Sequence, residues 1–294
     1  MRRKSFYEAT ARQRIVGVLD ANSFSELVDP TQRVVSPHLQ ALGLPVAFDD
    51  GVVVGRGTLE GRPVLIASQE GGFLGGAVGE VHGAKIVGLF ERARRERPAA
   101  VLLLIDSGGV RLHEANTGLI AVSEIIRAIL AGRSHGIAVI AAIGGPCGSF
   151  GGMGIAAACC SAIVMSEEGR LGLSGPEVIE TSRGVEEFDS RDRAQVWRTV
   201  GGKHRYLLGD CDALVETDLA AFRAGLVAAI DAAEPLTLEA LEREHEMLAR
   251  RLETFGTSRD GHDVWRALGW SDPDTVPLAP TDVFLAQAAS LRTA

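Results

Sequence analysis

The sequence VLLLIDSGGVRLHEA, residues 101–115, begins with an apolar run and continues through adjacent glycines into a helical pattern. The sequence IAVIAAIGGPCGSFGGMG, residues 137–154, repeats this order. A continuous apolar run is typical of a strand that is covered on both faces of a parallel sheet. Helices are predicted at Glu114–Leu130 and Ile155–Cys160. The repeated strand–turn–helix order therefore predicts an α/β fold, with a largely parallel sheet and helices outside it.

The flanking sequence extends this pattern in both directions. Val52–Val54 and Val64–Ile66 surround Glu60-Gly61-Arg62 and are predicted to form a hairpin. A helix is predicted at Ala84–Arg97, where Pro98 ends it. Further strands and helices are predicted downstream: strands at Ala162–Met165 and Arg170–Ser174, and helices at Ser190–Leu208, Asp218–Ala233 and Leu236–Phe255.

The chain is predicted to have three segments. Residues 1–50 form an irregular wrapping segment with one short helix, residues 51–233 form the core, and residues 234–294 form a helix and a tail. The last helix carries leucines along one side, which either pack on the chain's own core or form a subunit interface; the sequence favours neither. The tail is predicted to be loosely ordered because it contains several prolines: Pro273, Pro277 and Pro280.

The composition excludes several classes of function. The formal net charge of −8 argues against nucleic-acid binding. No apolar run approaches the ~18 residues of a membrane span, and no signal peptide is predicted. The cysteines form no C-x-x-C pair and the histidines lack metal-ligand spacing, so we predict no zinc ribbon, no disulfide framework and no metal. These features together predict a cytoplasmic protein.

The two glycine turns are the strongest candidates for chemistry. Ser107–Arg111 and Gly148–Gly154 each follow a predicted buried strand and precede a helix. Such a turn places unpaired N–H donors at the carboxyl end of a strand. A single Gly-Gly turn of this kind usually serves packing, but two turns on adjacent strands are able to direct two N–H groups at one oxygen. The sequence therefore predicts an oxyanion hole.

Other catalytic motifs are absent or misplaced. Gly132-Arg133-Ser134-His135-Gly136 matches G-x-S-x-G, but a helix precedes it and a strand follows, which is the reverse of a nucleophile elbow. Gly202-Lys203 lacks the upstream glycine of a P-loop. The glycine turns therefore carry the functional prediction alone.

Three ordered motifs resemble the acyl-CoA-binding half of carboxyltransferases: DSGGVRLHEA (106–115), GGPCGSFGGMG (144–154) and GLSGPEVIE (172–180). Within this family the chain most resembles the β subunits of biotin-independent malonate decarboxylases. GGFLGGAVGEVHGAK (71–85), Val110, His113 and the missing zinc ribbon carry that closer resemblance. The resemblance implies a crotonase-like spiral of ββα units, the carboxyltransferase domain, with a helical C-terminal region.

The resemblance also implies a reaction and its site. The family reaction is decarboxylation of malonyl-S-ACP to acetyl-S-ACP and CO₂ through an enolate, and the amides of Val110 and Gly152 would hold the thioester oxygen. His113 is the first choice for the proton donor; the alternatives are His82, Glu114, Cys147, Ser149, an ordered water and a group from the partner subunit. Further substrate-binding positions are implied: Ser107, Gly108, Gly109, Pro146, Gly151, Met153, Gly175 and Pro176.

The resemblance further implies partners. A γ subunit of the same fold class, an acyl-transferase subunit and an acyl carrier protein are expected, the carrier bringing the substrate on a phosphopantetheine-type, CoA-like arm. No cofactor is expected in this chain. Two arginine clusters are either carrier-docking surfaces or solvated helix faces: Arg92, Arg94, Arg95 and Arg97, and Arg191, Arg193 and Arg198. Two alternative functions stay open, a carboxyltransferase β subunit of an acyl-CoA carboxylase that uses biotin, and a non-catalytic scaffold.

Overall fold

One sheet runs through the centre of the molecule in strand order β1 to β7. The computed structural model describes residues 4–292, so the ends of the predicted N-terminal segment and tail (1–3 and 293–294) lie outside the described residues. The strands β1 to β3 pair antiparallel and β3 to β7 pair parallel. Their bounds are β1 Ser25–Glu26, β2 Val52–Leu59, β3 Arg62–Gln69, β4 Ala100–Ile105, β5 Ala138–Ile143, β6 Ala162–Ser166 and β7 Ala213–Val215.

Helices cover both faces of this sheet. Their bounds are α1 Ala11–Val18, α2 Pro37–Ala41, α3 Glu80–Glu96, α4 Asn116–Ser134, α5 Gly152–Ala158, α6 Pro176–Arg183, α7 Arg193–Val200, α8 Gly202–Leu208, α9 Leu219–Ala232, α10 Leu238–Phe255, α11 Gly261–Ala267 and α12 Thr281–Ala288. On β4, Val101, Leu103 and Ile105 face the core under α3 to α5. Leu102 and Leu104 face the core under α1 and α9. The prediction of a strand buried on both faces is confirmed.

The predicted hairpin and the core strands are confirmed with small shifts of their ends. Helix α3 begins earlier than predicted, at Glu80, directly after the glycine segment. Helix α4 begins two residues later than Glu114, because Leu112–Glu114 forms a 3₁₀ turn and Ala115 has a φ of 45°. Gly132 to Ser134 form the end of α4, and His135 and Gly136 lead towards β5, so a helix precedes the strand and the nucleophile elbow is excluded as predicted.

The predicted strand at Arg170–Ser174 is wrong. Only isolated bridges occur there, from Arg170 to Gly201 and from Leu171 to Ser149. The segment crosses over the second glycine turn instead of joining the sheet, and β7 takes the place beside β6. The sequence did not predict β7, because three residues are too short to give a pattern.

The long helix predicted at Ser190–Leu208 is two helices, α7 and α8, which Gly201 separates with extended backbone. The helices α9 and α10 are confirmed to within two residues. Helix α10 has no fully buried residue; Phe255 at its end packs against the C-terminal apolar cluster, and its leucine stripe is not covered by this chain. Its exposed stripe is Leu238, Leu241, Leu248 and Leu252.

The prediction of a loosely ordered tail is wrong. The helices α11 and α12 pack against α8 around a separate apolar cluster that includes Trp265, Trp270 and Phe284. The Trp265 indole donates a hydrogen bond of 3.2 Å to Nδ1 of buried His204. The burial of large aromatic side chains outweighs the effect of the prolines, which fall between the helices.

The N-terminal segment takes part in the sheet and in its core. Phe6 stacks on Phe222 with ring centroids 3.8 Å apart, and β1 pairs with β2. The segment boundaries at residues 50 and 233 remain predictions. Within residues 4–292, no helix is both long enough and apolar enough to cross a membrane.

Candidate active site

The two glycine turns lie side by side at the carboxyl ends of β4 and β5. The N–H of Ser107 donates to the carbonyl of Gly148 at 2.7 Å, and the N–H of Phe150 donates to the carbonyl of Ser107 at 3.0 Å. These bonds continue the parallel pairing of the strands into the turns, with Ser107 opposite Ser149. The turns are therefore held at a fixed separation.

In the first turn, all amides but one have an acceptor. The amides of Ser107, Gly108 and Arg111 bind the carbonyls of Gly148, Gly75 and Val78, at 2.7 to 2.9 Å. The Gly109 amide binds Oγ of Ser107 at 3.1 Å. The N–H of Val110 has no acceptor among the described residues, because the parallel bridge of Val110 to Val78 uses the peptide groups on either side of it.

The second turn shows the same arrangement. The amides of Ser149, Phe150 and Gly151 bind the carbonyls of Arg170, Ser107 and Leu173. Those of Met153 and Gly154 both bind the carbonyl of Phe150. The N–H of Gly152, at the first position of α5, has no acceptor within residues 4–292. Each turn thus presents one free amide, at the two positions predicted for the oxyanion hole.

Glycine is required where the turns touch. Gly109 has a φ of 126° and Gly151 a φ of 56°, a region that side chains rarely adopt. A Cβ atom on Gly151 would lie 3.5 Å from Cα of Gly109. A Cβ atom on Gly152 would collide with Val122 of α4. The free amides therefore sit where the backbones of two turns and two helices approach closely.

The other predicted binding positions fall into two groups. Gly108, Pro146, Gly151 and Gly175 lie at or near the surface beside the turns. The side chains of Ser107, Met153 and Pro176 are buried, that of Met153 in the core under α5. Oγ of Ser107 bonds with its own turn, so its contribution is to the shape of the turn.

The proton-donor candidates are separated by their environments. His113 is exposed in the 3₁₀ turn after Arg111. His82 is fully buried, and burial lowers its pKa well below the usual range, so it is neutral at pH 7. Burial raises the pKa of the half-buried Cys147 to about 11. Oγ of Ser149 is buried with no hydrogen-bond partner in the described chain. His113, Cys147 and Ser149 are thus the candidates with an available hydrogen.

The side chain of Arg111 points away from the turn into a buried cluster of charges. It donates to Oδ2 of Asp50 at 2.8 Å and to Oε1 of Glu114 at 3.1 Å. Burial alone would raise the pKa of Glu114, but hydrogen bonds from the Glu80 amide and from Arg111 bring it below the usual range. Glu114 is therefore a charged partner of Arg111 and not a proton donor.

Two contacts of the glycine turns were not predicted from the sequence. Asp106 accepts a hydrogen bond from the Cys147 amide at 2.7 Å and pairs with Arg14 of α1 at 2.9 Å. The segment at residues 71–79 lies directly against the first turn, and a Cβ atom on Gly76 would collide with the carbonyl of Asp106. The run of glycines was the available signal for this close approach, but its partner was not visible.

Most of the chain matches the model of one protein family. Residues 7–238 match the carboxyl transferase domain. The chain belongs to the carboxyl transferase family. Its crotonase-like α/β fold agrees with the fold class predicted from the sequence.

Individual members of this family show which proteins the chain is similar to. The chain is 40% identical, over 98% of its length and 97% of the relative's, to the malonyl-S-ACP:biotin-protein carboxyltransferase of Malonomonas rubra. Its structure is similar to a chain of a Pseudomonas malonate decarboxylase hetero-tetramer in complex with malonate, with a TM-score of 0.83, 44% identity and coverage of 90% and 97%. Transcarboxylase 12S, with methylmalonyl-coenzyme A bound, is 29% identical at a TM-score of 0.63, with coverage of 76% and 40%. The chain is thus a carboxyltransferase-family protein related to malonate decarboxylase.

Proposed function

We propose that this chain is the subunit of a malonate decarboxylase that decarboxylates malonyl-S-ACP to acetyl-S-ACP and CO₂. The observation that carries the proposal is the pair of free amides, one in each glycine turn, at Val110 and Gly152. Every other amide of the two turns already has an acceptor within residues 4–292. A fixed pair of donors without protein acceptors is suited to an oxygen that gains charge during the reaction.

The chemistry needs that oxygen. When the bond between C2 and the carboxylate carbon breaks, its electron pair moves into the C1–C2 bond and the thioester oxygen becomes an enolate oxygen, while CO₂ leaves. A proton then adds to C2 and gives the acetyl thioester. Donors that are already in place stabilise the charge of the transition state more than the neutral carbonyl of the substrate. His113 is the proposed proton donor, because it is the exposed candidate beside Val110.

The names of two relatives support an acyl carrier protein as the substrate carrier. The Malonomonas relative is named for malonyl-S-ACP, and the Pseudomonas malonate decarboxylase structure holds malonate. The carrier's phosphopantetheine-type arm would bring the thioester to the surface positions beside the turns, Gly108, Gly151 and Gly175. No cofactor of this chain takes part in the proposed reaction.

The proposed partners are a γ subunit of the same fold class, an acyl carrier protein and an acyl-transferase subunit. The related Pseudomonas structures are a hetero-dimer and a hetero-tetramer. Large apolar side chains are exposed around the two turns of this chain, which supports coverage of the site by another subunit: Leu112, Leu119, Ile155, Leu173 and Val178.

The test uses the assembled complex and malonyl-S-ACP labelled in its free carboxylate. We expect release of labelled CO₂ in amounts equal to the acetyl-S-ACP formed, without biotin and unaffected by avidin. A complex that consumes no malonyl-S-ACP would overturn the proposal. Equal turnover with both turns disrupted would show that the chain is a scaffold.

A second candidate is carboxyl transfer to biotin, which the Malonomonas relative favours through its name and its full-length similarity. Both reactions pass through the same enolate, so the two amides serve either one. The two reactions differ in what receives the carboxyl group: a biotin carrier in the transferase, and no acceptor in the decarboxylase, which releases CO₂. If label appears on a biotin carrier and avidin stops the reaction, the transferase assignment replaces decarboxylation to free CO₂.

A further inference from the structure

Asp106 connects three parts of the chain that are distant in sequence. It directly follows β4 and precedes the first glycine turn. Its Oδ1 accepts the N–H of Cys147, which directly precedes the second turn, at 2.7 Å. Its Oδ2 pairs with Nη1 of Arg14, on α1, at 2.9 Å. Asp106 thus joins both turns to the N-terminal helix.

Glycines pack closely around the carboxylate of Asp106. A Cβ atom on Gly71 would lie 2.5 Å from Oδ2 of Asp106, and one on Gly145 would collide with the carboxyl group. The side chains of Asp106 and Arg14 are each only 2% exposed. The glycines at 71 and 145 are therefore explained by the space that this carboxylate occupies.

Arg14 is fixed in turn by the N-terminal segment. Its Nε donates to the carbonyl of Phe6 at 2.9 Å, and its guanidinium lies over the Phe6 ring. Burial raises the pKa of Asp106, and the charge of Arg14 opposes this effect. The arginine therefore favours the carboxylate form, which is a stronger acceptor for the Cys147 amide than a neutral group.

We propose that the buried Arg14–Asp106 pair is a positioning device for the oxyanion hole. The Asp106–Cys147 bond and the adjacent Ser107–Gly148 bond are consecutive cross-links between the turns, and together they set the separation of the Val110 and Gly152 amides. This inference rests on the proposed function. Asp106 and Arg14 are positioning residues, because they act on the hole through the backbone.

The test compares Asp106→Asn, Asp106→Ala and Arg14→Lys in the assembled complex. Asn keeps an acceptor for the Cys147 amide but loses the charge, and Ala loses both. A misplacement on the order of 1 Å costs about 10²-fold in rate. We therefore expect kcat to fall about 10²-fold for Asp106→Ala and less for Asp106→Asn and Arg14→Lys. KM should stay within about threefold, because the surface that receives the arm is unchanged.

The matched control is Asp210→Asn. Asp210 pairs with Arg205 at 2.9 Å and with Arg251 at 2.6 Å, away from the turns. The Asp210→Asn substitution should lower the melting temperature without lowering kcat. If the Asp106 and Arg14 variants lose stability but keep kcat within twofold, the inference is wrong. If Asp106→Ala does not assemble, Asp106→Asn and Arg14→Lys decide the question. An inactive wild-type complex would instead overturn the proposed function itself, and the positioning role with it.

Discussion

Nη1 of Arg111 lies 2.8 Å from Oδ2 of Asp50, in a pair that is 1% exposed on both sides. Nη2 of the same guanidinium donates to the backbone carbonyl of Asp50 at 2.7 Å. Arg111, the residue after Val110, is thus anchored on the segment before β2. On either side of Val110, the N–H of Arg111 donates to the carbonyl of Val78, and the carbonyl of Gly109 accepts the N–H of Val78. The backbone is therefore fixed both before and after the free amide of Val110.

Loss of this anchor should destabilise the chain. Arg111→Met leaves Asp50 and Glu114 buried without their cation, and breaking a buried pair in this way costs about 3–5 kcal/mol. We expect a fall of that size in the free energy of unfolding by urea. Arg111→Lys should lose less, because one charge remains but the two-pronged contact does not. A loss below about 1 kcal/mol for Arg111→Met would contradict the structural account.

The two free amides are best tested by removing the N–H alone. Replacing Val110 by its hydroxy-acid analogue converts the amide to an ester. Because this N–H has no protein acceptor, the loss of stability should be limited to the weaker acceptor strength of the Gly109 carbonyl, about 1 kcal/mol or less, whereas kcat should fall by about 10²–10³-fold. Glycolic acid at position 152 should act in the same way. Turnover near the wild-type level with both esters would rule out the oxyanion hole.

The ester at Met153 is the matched control. Its amide donates to the carbonyl of Phe150 at 3.2 Å, so the ester should cost about 1 kcal/mol of stability and little in kcat. A bulky side chain at Gly152 is a poorer test, because it would collide with Val122 and displace α4 or α5.

Cys147 should be dispensable as a nucleophile. Burial raises the pKa of its thiol to about 11, and the carboxylate of Asp106 adds to this effect. The thiol is therefore neutral between pH 7 and 9, and the nucleophilic thiolate is scarce. We expect Cys147→Ser to keep kcat within about threefold and slow alkylation of Cys147 by iodoacetamide at pH 8. Fast alkylation at pH 8 would show that the thiol is more acidic than its burial implies.

Acid should weaken the C-terminal aromatic cluster through His204. Burial lowers the pKa of His204 to about 3, from 6.5 in the unfolded chain. Between these values the unfolded chain binds a proton that the folded chain does not. The free energy of unfolding therefore falls as the pH falls below 6.5, by up to about 1.4 kcal/mol per pH unit.

The variant His204→Gln keeps an acceptor for the Trp265 indole but does not titrate. Its stability should depend less on pH between 7.5 and 5 than that of the wild type, in urea unfolding followed by tryptophan fluorescence. His135→Gln, at an exposed position, is the control for the loss of one histidine. If the free energy of unfolding of the wild type and of His204→Gln changes equally with pH, the buried His204 is not the source of the pH dependence.

Two of the α3 arginines pair with glutamates of their own helix, and carrier docking on this face stays a prediction. Arg92 pairs with Glu96 at 2.6 Å and Arg94 with Glu91 at 3.3 Å, which reduces the free positive charge of this face. If the carrier docks there, Arg94→Glu with Arg95→Glu should raise KM for malonyl-S-ACP and leave KM for a small malonyl thioester unchanged. An unchanged KM for both substrates assigns the arginines to a solvated helix face.

The sequence predicted the central sheet because its strands are continuous apolar runs, whose burial on both faces needs no knowledge of partners. It also predicted both glycine turns. It was not able to show that, within residues 4–292, Val110 and Gly152 are the amides of the two turns that lack an acceptor, since the acceptors of several other turn amides come from residues 75, 78, 170 and 173. Likewise, Asp50 and Arg111 are 61 residues apart, and Arg14 and Asp106 are 92 apart. Such pairs follow only from the tertiary fold.

The errors in the C-terminal third have the same origin. The prolines of the tail predicted irregular structure, but they lie between short helices whose aromatic side chains form a core with α8. Neither α11 nor α12 is long enough to give a periodic pattern of its own. The exposed stripe of α10 was visible as a pattern, but only the structure shows that none of its leucines is buried by this chain.

The contacts of Gly71, Gly76 and Gly145 with Asp106 have a consequence for tolerance to mutation. These positions are far apart in the chain, yet each adjoins the same carboxylate or its backbone. In a library of single substitutions selected for activity, these three positions should be among the restricted ones, and they should map to one patch around Asp106. The measured activities of the variants would then map the packing around this carboxylate without any bound ligand.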